Sequence, residues 1–160
     1  MTTSTWRIEP KGFLSRHFDL YRNDELVTTL RMGFWRERCR FSIAGHHFSI
    51  HHKSLWPDAF QLRTDDQGVC DATRKFWSHS FALTATPQQW LLLPARWFSR
   101  TFRLVTPCAG KEIDAGTIRS VGWFTRRRYG EFSDLYVPPP IQVLAIFLVL
   151  VVANRQSKSN

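Results

Sequence analysis

Histidine, aspartate and arginine supply the few groupings in this chain whose residue types and spacing could do chemistry. The densest is the segment Gly45–His52, which contains four histidines: His46, His47, His51 and His52. On an extended strand His47 and His51 lie about 13 Å apart, whereas metal–nitrogen bonds are about 2 Å long. We therefore expect exposed or rim histidines beside the core residues Phe48 and Ile50, and no metal site.

The neighbouring acids Asp65 and Asp66 could be read as a general acid and base. They precede Gln67 and Gly68 between two apolar stretches, where Asp is favoured because its side chain hydrogen-bonds the backbone of a tight turn. The sequence also contains no G-x-S-x-G, Walker A, G-x-G-x-x-G or H-E-x-x-H stretch. We accordingly predict no catalytic residue, no cofactor and a protein that is not an enzyme.

Arginine is more informative, since Lys and Arg total 22 against 13 Asp and Glu, and 17 of the 22 are Arg. Several arginines follow an aromatic or large apolar pair by two to five residues: Arg16, Arg36, Arg38, Arg100, Arg126, Arg127 and Arg128. The tryptophans beside them are Trp35, Trp97 and Trp123. Arg and Trp together suit an anionic membrane surface, where each cation contributes about 1 kcal/mol. Alternatively, the aromatic rings fold inwards and the arginines only solvate the surface or stack on Trp.

The aromatic pairs belong to an internal repeat. They begin at Phe13, Phe34, Leu55, Phe76, Trp97 and Trp123, with spacings of 21, 21, 21, 21 and 26 residues. Further apolar columns follow five, seven and fourteen positions after the pairs. Within each unit apolar and polar residues alternate, as in Phe60-Gln61-Leu62, which is typical of a strand with one buried face.

Turn-forming residues such as Asn23-Asp24 and Ala44-Gly45 divide each unit into a hairpin. Five hairpins, with one strand at Thr5–Glu9 and another at Arg126–Asp134, give twelve strands. Because a flat meander of this size accumulates twist and exposes edges, we predict a closed antiparallel barrel. Alternate connections of a meander lie at opposite ends, so the aromatic loops and their arginines should share one rim. The acids that interrupt this rim are Glu37, Asp58 and Glu131.

A barrel of twelve strands is too wide to be filled by its own side chains. The segment Ile141–Ala153 has Gln142 as its only polar residue and follows three prolines. As a helix its thirteen residues reach about 20 Å, short of a membrane core about 30 Å thick and closer to a barrel wall of about 15 Å. We predict that this helix fills the barrel; a short membrane anchor and a partner-binding helix are the alternatives.

These elements predict one domain over residues 1–160, with strands over about 5–134, an axial helix over about 140–154 and a polar tail over 155–160. The 21-residue hairpin repeat from Phe13 to Phe124 and the apolar Ile141–Ala153 resemble the family that groups tubby C-terminal domains, LURP-one-related proteins and phospholipid scramblases. The resemblance covers almost the whole chain and implies a twelve-stranded barrel around a hydrophobic C-terminal helix. It also implies membrane-proximal or lipid-headgroup binding, without assigning ligand residues here.

Location and partners follow from composition. The first residues include Arg7, Glu9 and Lys11 and no apolar stretch, so we expect no Sec-type export. Three widely spaced cysteines, Cys39, Cys70 and Cys108, indicate buried thiols in a reducing compartment.

We expect a cytoplasmic monomer, peripheral to or anchored in a membrane, whose basic rim binds anionic phospholipid or an acidic protein. Nucleic-acid binding is not favoured, because no RNP sequence or basic recognition helix occurs. The alternative function is a C-terminally anchored membrane protein with a cytoplasmic β domain.

Overall fold

Twelve strands and one helix make up the regular structure of the described chain. The computed structural model describes residues 2–12, 15–32, 38–65, 67–75, 78–96, 99–121 and 126–158. The strands are β1 (Thr3–Pro10), β2 (His17–Arg22), β3 (Glu25–Arg31), β4 (Cys39–Ile43), β5 (His46–Leu55), β6 (Asp58–Thr64), β7 (Gln67–Arg74), β8 (Phe81–Ala85), β9 (Gln88–Pro94), β10 (Thr101–Cys108), β11 (Lys111–Ser120) and β12 (Arg128–Ser133). Helix α1 (Pro139–Lys158) follows them. The mainly β prediction with twelve strands is confirmed.

The strands form one antiparallel sheet that curls into a nearly closed barrel. Strands that are consecutive in the chain pair with each other, and β1 pairs with β12, so that β3 and β4 become the two edges. These edge strands approach within 8 Å between Cα atoms without a hydrogen-bonded ladder. Val27 is an extra residue that forms a bulge in β3, and a bulge increases local twist and bends its strand. The barrel is therefore nearly closed, with a seam between β3 and β4.

Side chains along the strands alternate between the barrel interior and its outer surface. The residues expected to face inwards are all buried: Phe18, Leu20, Phe60, Leu62, Phe81, Leu83, Phe102 and Leu104. The intervening residues Asp19, Gln61 and Arg103 are partly exposed on the outer face. The period-two pattern of the repeat thus predicted the phase of these strands correctly.

Helix α1 fills the barrel. Residues Ile141 to Val152 are each at most 4 % exposed, as an all-round apolar helix requires. The one polar side chain among them, Gln142, accepts a hydrogen bond from Trp6 Nε1 at 2.7 Å and donates to Asp134 Oδ1 and the Val137 carbonyl. The central helix is confirmed. It continues to Lys158, so residues 155–158 of the predicted polar tail form its last turn.

Helix α1 is also long and apolar enough to cross a membrane, the one such helix among the described residues. Its most apolar window has a mean hydropathy of 1.5, and 67 % of that window is buried within the protein. The core helix of a soluble barrel passes the same test of length and composition.

The connections between strands lie at the two ends of the barrel. Ala44-Gly45 and Ala109-Gly110 have positive φ at both positions, as two-residue type I′ hairpins require. We call the end that carries these hairpins, after β2, β4, β6, β8 and β10, the turn end. The longer connections after β1, β3, β7, β9 and β11, together with the β5–β6 turn, lie at the opposite loop end. Because β12 finishes at the turn end, α1 starts there and its carboxyl end lies at the loop end.

Candidate basic loop end

The loop end is strongly basic. Among the described residues of its six connections the cations are Lys11, Arg16, Arg38, Lys75, Arg96, Arg100, Arg126 and Arg127, and these described stretches contain no Asp or Glu. Helix α1 adds Arg155 and Lys158 in its last turn. From the predicted set of arginines, the strand topology places Arg16, Arg38, Arg100, Arg126 and Arg127 in these connections.

One group of predicted arginines comes together where the β1–β2, β9–β10 and β11–β12 connections meet. Arg126 Nη1 donates to the Ser15 carbonyl at 2.7 Å, next to Arg16. The Arg126 guanidinium also lies 5.0 Å from the centre of the Phe18 ring, a cation–π distance. These contacts tie the segment after β11 to the segment before β2 and place several positive charges side by side.

Arg128 is part of this group but is half-buried rather than exposed at the rim. Its Nη1 donates to Ser120 Oγ at 2.8 Å. Burial lowers the pKa of Arg128 to about 10, with smaller contributions from the positive charges of Arg100 and Arg126. Most of this lowering comes from burial; the smaller part comes from the neighbouring positive charges, which an anion at this surface would offset.

The other predicted rim residues are distributed differently. Arg127 is exposed at the loop end. Arg38 is exposed as well, but it lies on the side of the barrel towards His51, whose pKa its charge helps to lower. The predicted rim residues Arg36, Trp35, Trp97 and Trp123 lie outside the described residues, as does the acid Glu37.

Of the repeated aromatic or large apolar pairs, Leu55-Trp56 at the β5–β6 turn is the one that lies within the described residues. Leu55 is 82 % exposed and Trp56 is 76 % exposed. This pair points away from the core, unlike the alternative in which the aromatic rings fold inwards. Their sequence position beside Pro57 and Asp58 places an apolar tip at the edge of the basic end.

Asp58, one of the acids expected to interrupt the basic rim, is neutralised within the structure. Arg155 donates to both of its oxygens, at 2.5 and 3.3 Å, and His52 Nε2 lies 2.7 Å from its Oδ1. Burial alone would raise the pKa of Asp58, but the hydrogen bonds and charges of Arg155 and His52 outweigh it, so the pKa is lowered. Asp58 thus fastens the carboxyl end of α1 to the wall and leaves little negative charge at the rim.

Glu131 does not interrupt the rim either. It lies in the middle of β12, opposite Thr5 on one side and Thr117 on the other. Acidic residues gather instead at the turn end: Asp24, Glu25, Asp65, Glu112 and Asp134. Arg22 and Lys111 lie at that end as well, so the described loop end is basic and the described turn end carries an excess of acids.

The remaining predicted groupings show no metal chemistry. No group of three His, Cys, Asp or Glu side chains among the described residues could hold a metal ion. His52 stacks on Phe60 with ring centres 4.7 Å apart, while His46 and His47 are exposed. Asp65 sits in the β6–β7 turn with a φ of 45°, in keeping with the turn interpretation, and Asp66 lies outside the described residues.

The cysteine predictions are right for two residues of three. Cys39 and Cys70 are buried, and burial raises the pKa of each thiol to about 12. Cys108 is exposed at the turn end instead of buried, because it is the last residue of β10 and precedes the Ala109-Gly110 hairpin.

Sequence reasoning missed several members of the basic end, Lys11, Lys75 and Arg96, although the repeat also places them in the aromatic loops. It missed the Asp58–Arg155 pair altogether, because the two residues are 97 positions apart. Comparison with protein-family models, with curated proteins and with solved structures returns no match.

Proposed function

We propose that this protein is a non-enzymatic binding barrel whose loop end associates with anionic membrane surfaces. The observation that supports the proposal most is the separation of charge along the barrel axis. Cations such as Arg96 and Arg127 occupy the described loops, while acids such as Asp24 and Asp65 occupy the turns. A molecule with this polarity approaches an anionic surface with its loop end first, because the opposite orientation is repelled.

A membrane is favoured over an acidic protein by the apolar tip beside the charges. Leu55 and Trp56 are both more than three-quarters exposed, and Trp is enriched at membrane interfaces because its ring is amphipathic. Exposed apolar side chains next to cations contribute burial in the headgroup region in addition to electrostatic attraction. An acidic protein partner would use the same cations without needing this tip.

Membership of the tubby-like family, a monomeric state and a cytoplasmic, peripheral location accompany the proposal as predictions. The alternative of a C-terminal membrane anchor is not adopted here. It would require α1 to leave the barrel, which would expose the inward faces of the strands that now pack around Val143 to Val152. Such a rearrangement loses the burial that stabilises the fold.

Vesicle co-sedimentation tests the proposal. Wild-type protein should pellet with phosphatidylserine-containing vesicles at low salt and should be released from them at high salt. It should not pellet with phosphatidylcholine vesicles. The double variant Arg96→Gln/Arg127→Gln removes two exposed loop-end charges. At about 1 kcal/mol for each cation, binding should weaken about 30-fold.

The matched control removes the same charge elsewhere. Arg103→Gln/Lys111→Gln changes one residue on the outer wall and one at the turn end, and it should bind vesicles nearly as wild type does. An equal loss in both double variants contradicts the assignment to the loop end. Failure of the wild type to pellet at low salt, with binding to polyglutamate instead, would replace the membrane by an acidic protein partner.

A further inference from the structure

The outer wall of the barrel carries a second arrangement of basic groups, on the strands instead of in the loop-end connections. It occupies β4, β5 and β6, beside the seam between β3 and β4. A surface pocket of about 610 Å³ opens there, and residues from Thr28 in β3 to Arg63 in β6 line it. The sequence did not single out its two arginines, Arg40 and Arg63, as binding residues.

The register of the three strands places five polar residues in a cross. Across the strands, Arg40 pairs with Ser49, and Ser49 pairs in turn with Arg63. Along β5, His47 and His51 stand two residues on either side of Ser49. All five side chains lie on the outer face, because the residues that alternate with them, such as Ile50 and Leu62, are fully buried.

The dimensions of this cross suit a small anion. Neighbouring strands are about 4.8 Å apart, so the backbones of Arg40 and Arg63 are separated by about 10 Å with Ser49 between them. Two guanidinium groups on long side chains can reach a group placed over Ser49 from opposite sides. Each presents donors in a planar fork that matches the oxygens of a phosphate.

Serine and histidine side chains complete the pocket. Ser49 Oγ lies 2.8 Å from His51 Nε2, and Ser42 Oγ lies 2.8 Å from His47 Nδ1. Hydroxyl and imidazole groups can both donate to an oxyanion. Asp65 lines the side of the pocket towards the turn end, where its charge would direct an anion towards the two arginines.

The basic groups around the pocket lie close enough to affect one another. Arg40 is exposed and forms no ion pair with any residue in the described part of the chain. Burial lowers the pKa of His51, and the positive charges of Arg38, Arg63 and Arg40 lower it further. Like charges placed within about 10 Å of one another repel, and an anion over Ser49 would remove that repulsion.

We propose that Arg40, Ser49 and Arg63, flanked by His47 and His51, form a binding site for a phosphate monoester. A tetrahedral dianion can accept hydrogen bonds from both guanidinium forks and from the serine hydroxyl together, whereas a planar carboxylate offers oxygens in one plane only. This site is independent of the proposed membrane function, since it lies on the wall and uses none of the loop-end residues changed in that experiment.

The test uses the full chain with inorganic phosphate and with glycerol 3-phosphate as soluble probes, at matched ionic strength. Calorimetry gives the affinity, and NMR of the imidazoles follows titration. Binding should raise the pKa of His51, because the anion offsets Arg38, Arg40 and Arg63. His79, whose pKa is lowered by burial and then by Arg74 at the loop end, should not respond.

Three variants locate the site. Arg40→Gln should weaken binding about 10-fold to 100-fold, the usual effect of losing a charged hydrogen bond. Arg103→Gln removes the same charge from β10, on another part of the wall, and should leave binding unchanged. Ser49→Asp puts a carboxylate between the arginines, so it should abolish phosphate binding and raise the melting temperature.

Vesicles that contain phosphatidic acid distinguish the sources of the phosphate. Binding of the soluble probes and of these vesicles, both sensitive to Arg40→Gln, assigns a lipid headgroup; binding of the soluble probes alone assigns a soluble phosphate monoester. The proposal is overturned if neither form binds, or if Arg40→Gln and Arg103→Gln weaken binding equally.

Discussion

Phe147→Ala tests the packing of α1 inside the barrel. Phe147 is fully buried at the middle of the helix. Its ring meets the edge of Phe60 with centres 5.6 Å apart and planes at 77°, and Phe60 in turn contacts Phe81 at 6.1 Å. The helix and two strands are therefore joined by one aromatic cluster. Removing the ring of Phe147 leaves a cavity that the surrounding strands cannot readily fill.

The expected destabilisation is about 4 kcal/mol, the middle of the range for Phe→Ala in a core. For a chain of this size each kcal/mol lowers the melting temperature by about 2–4 °C, so a fall of about 8–16 °C follows. Leu26→Ala is the control: Leu26 is 57 % exposed on β3, and its loss should change stability by less than about 0.5 kcal/mol.

Thermal unfolding followed by near-ultraviolet circular dichroism measures both variants against the wild type in the absence of detergent. If α1 lay outside the barrel, as in a membrane anchor, the ring of Phe147 would contribute nothing to the folding of the strands. A melting temperature of Phe147→Ala that equals that of Leu26→Ala would therefore refute the reasoning.

Two further perturbations follow from particular contacts. Because the pKa of Asp58 is lowered in the folded protein, its contacts with Arg155 and His52 stabilise the fold above the carboxyl's unfolded pKa, and this contribution is lost as the pH falls through the folded pKa. Asp58→Asn should lower the urea midpoint near neutral pH and make it less sensitive to acid; parallel pH profiles would contradict this. Gly116→Ala should cost about 1–3 kcal/mol, because its Cβ would lie 2.3 Å from Phe132 Cδ1; an unchanged melting temperature would contradict it.

The burial pattern of the strands was predictable because each hairpin has one solvent-exposed face and one buried face. A single alternating segment such as Phe60-Gln61-Leu62 carries that information by itself, and five copies in phase define the architecture. The apolar helix predicted at Ile141–Ala153 must be buried on all sides, and the interior of the wide barrel can bury it. The burial pattern follows from the alternation of neighbouring residues, and the position of the helix follows from the volume that a twelve-stranded barrel encloses. A sequence displays both the alternation and the number of strands directly.

Register across the strands was not predictable in the same way. The Ala44-Gly45 hairpin alone places Arg40 opposite Ser49, but Arg63 reaches its position beside Ser49 only because Lys53 is an extra residue in β5. A bulge shifts the pairing by one residue and leaves the repeat spacing unaltered. The arrangement of Arg40 and Arg63 on either side of Ser49 therefore requires knowledge of the strand register, which the repeat does not supply.

The exposure of the individual cations at the loop end could not be predicted from the sequence. The repeat placed the arginines at one rim, but it could not distinguish an exposed cation such as Arg127 from a half-buried one such as Arg128. That distinction depends on whether neighbouring residues cover the guanidinium, and Arg128 is half-buried beside Ser120 of β11. Nor does an alternating pattern indicate that Arg155, at the end of the helix, reaches back to Asp58.

The direction of α1 explains how the barrel tolerates charges of one sign at each end. The carboxyl end of a helix carries about half a negative charge, and its amino end about half a positive charge. Here the carboxyl end faces the basic loops, and the amino end faces the turn end, where Asp134 accepts a hydrogen bond from Gln142. A reversed helix would have placed like charges together at both ends. Because the helix dipole partly balances each rim, the cations at the loop end are held there without weakening the core, and replacing Arg96 and Arg127 should alter binding while leaving the melting temperature close to that of the wild type.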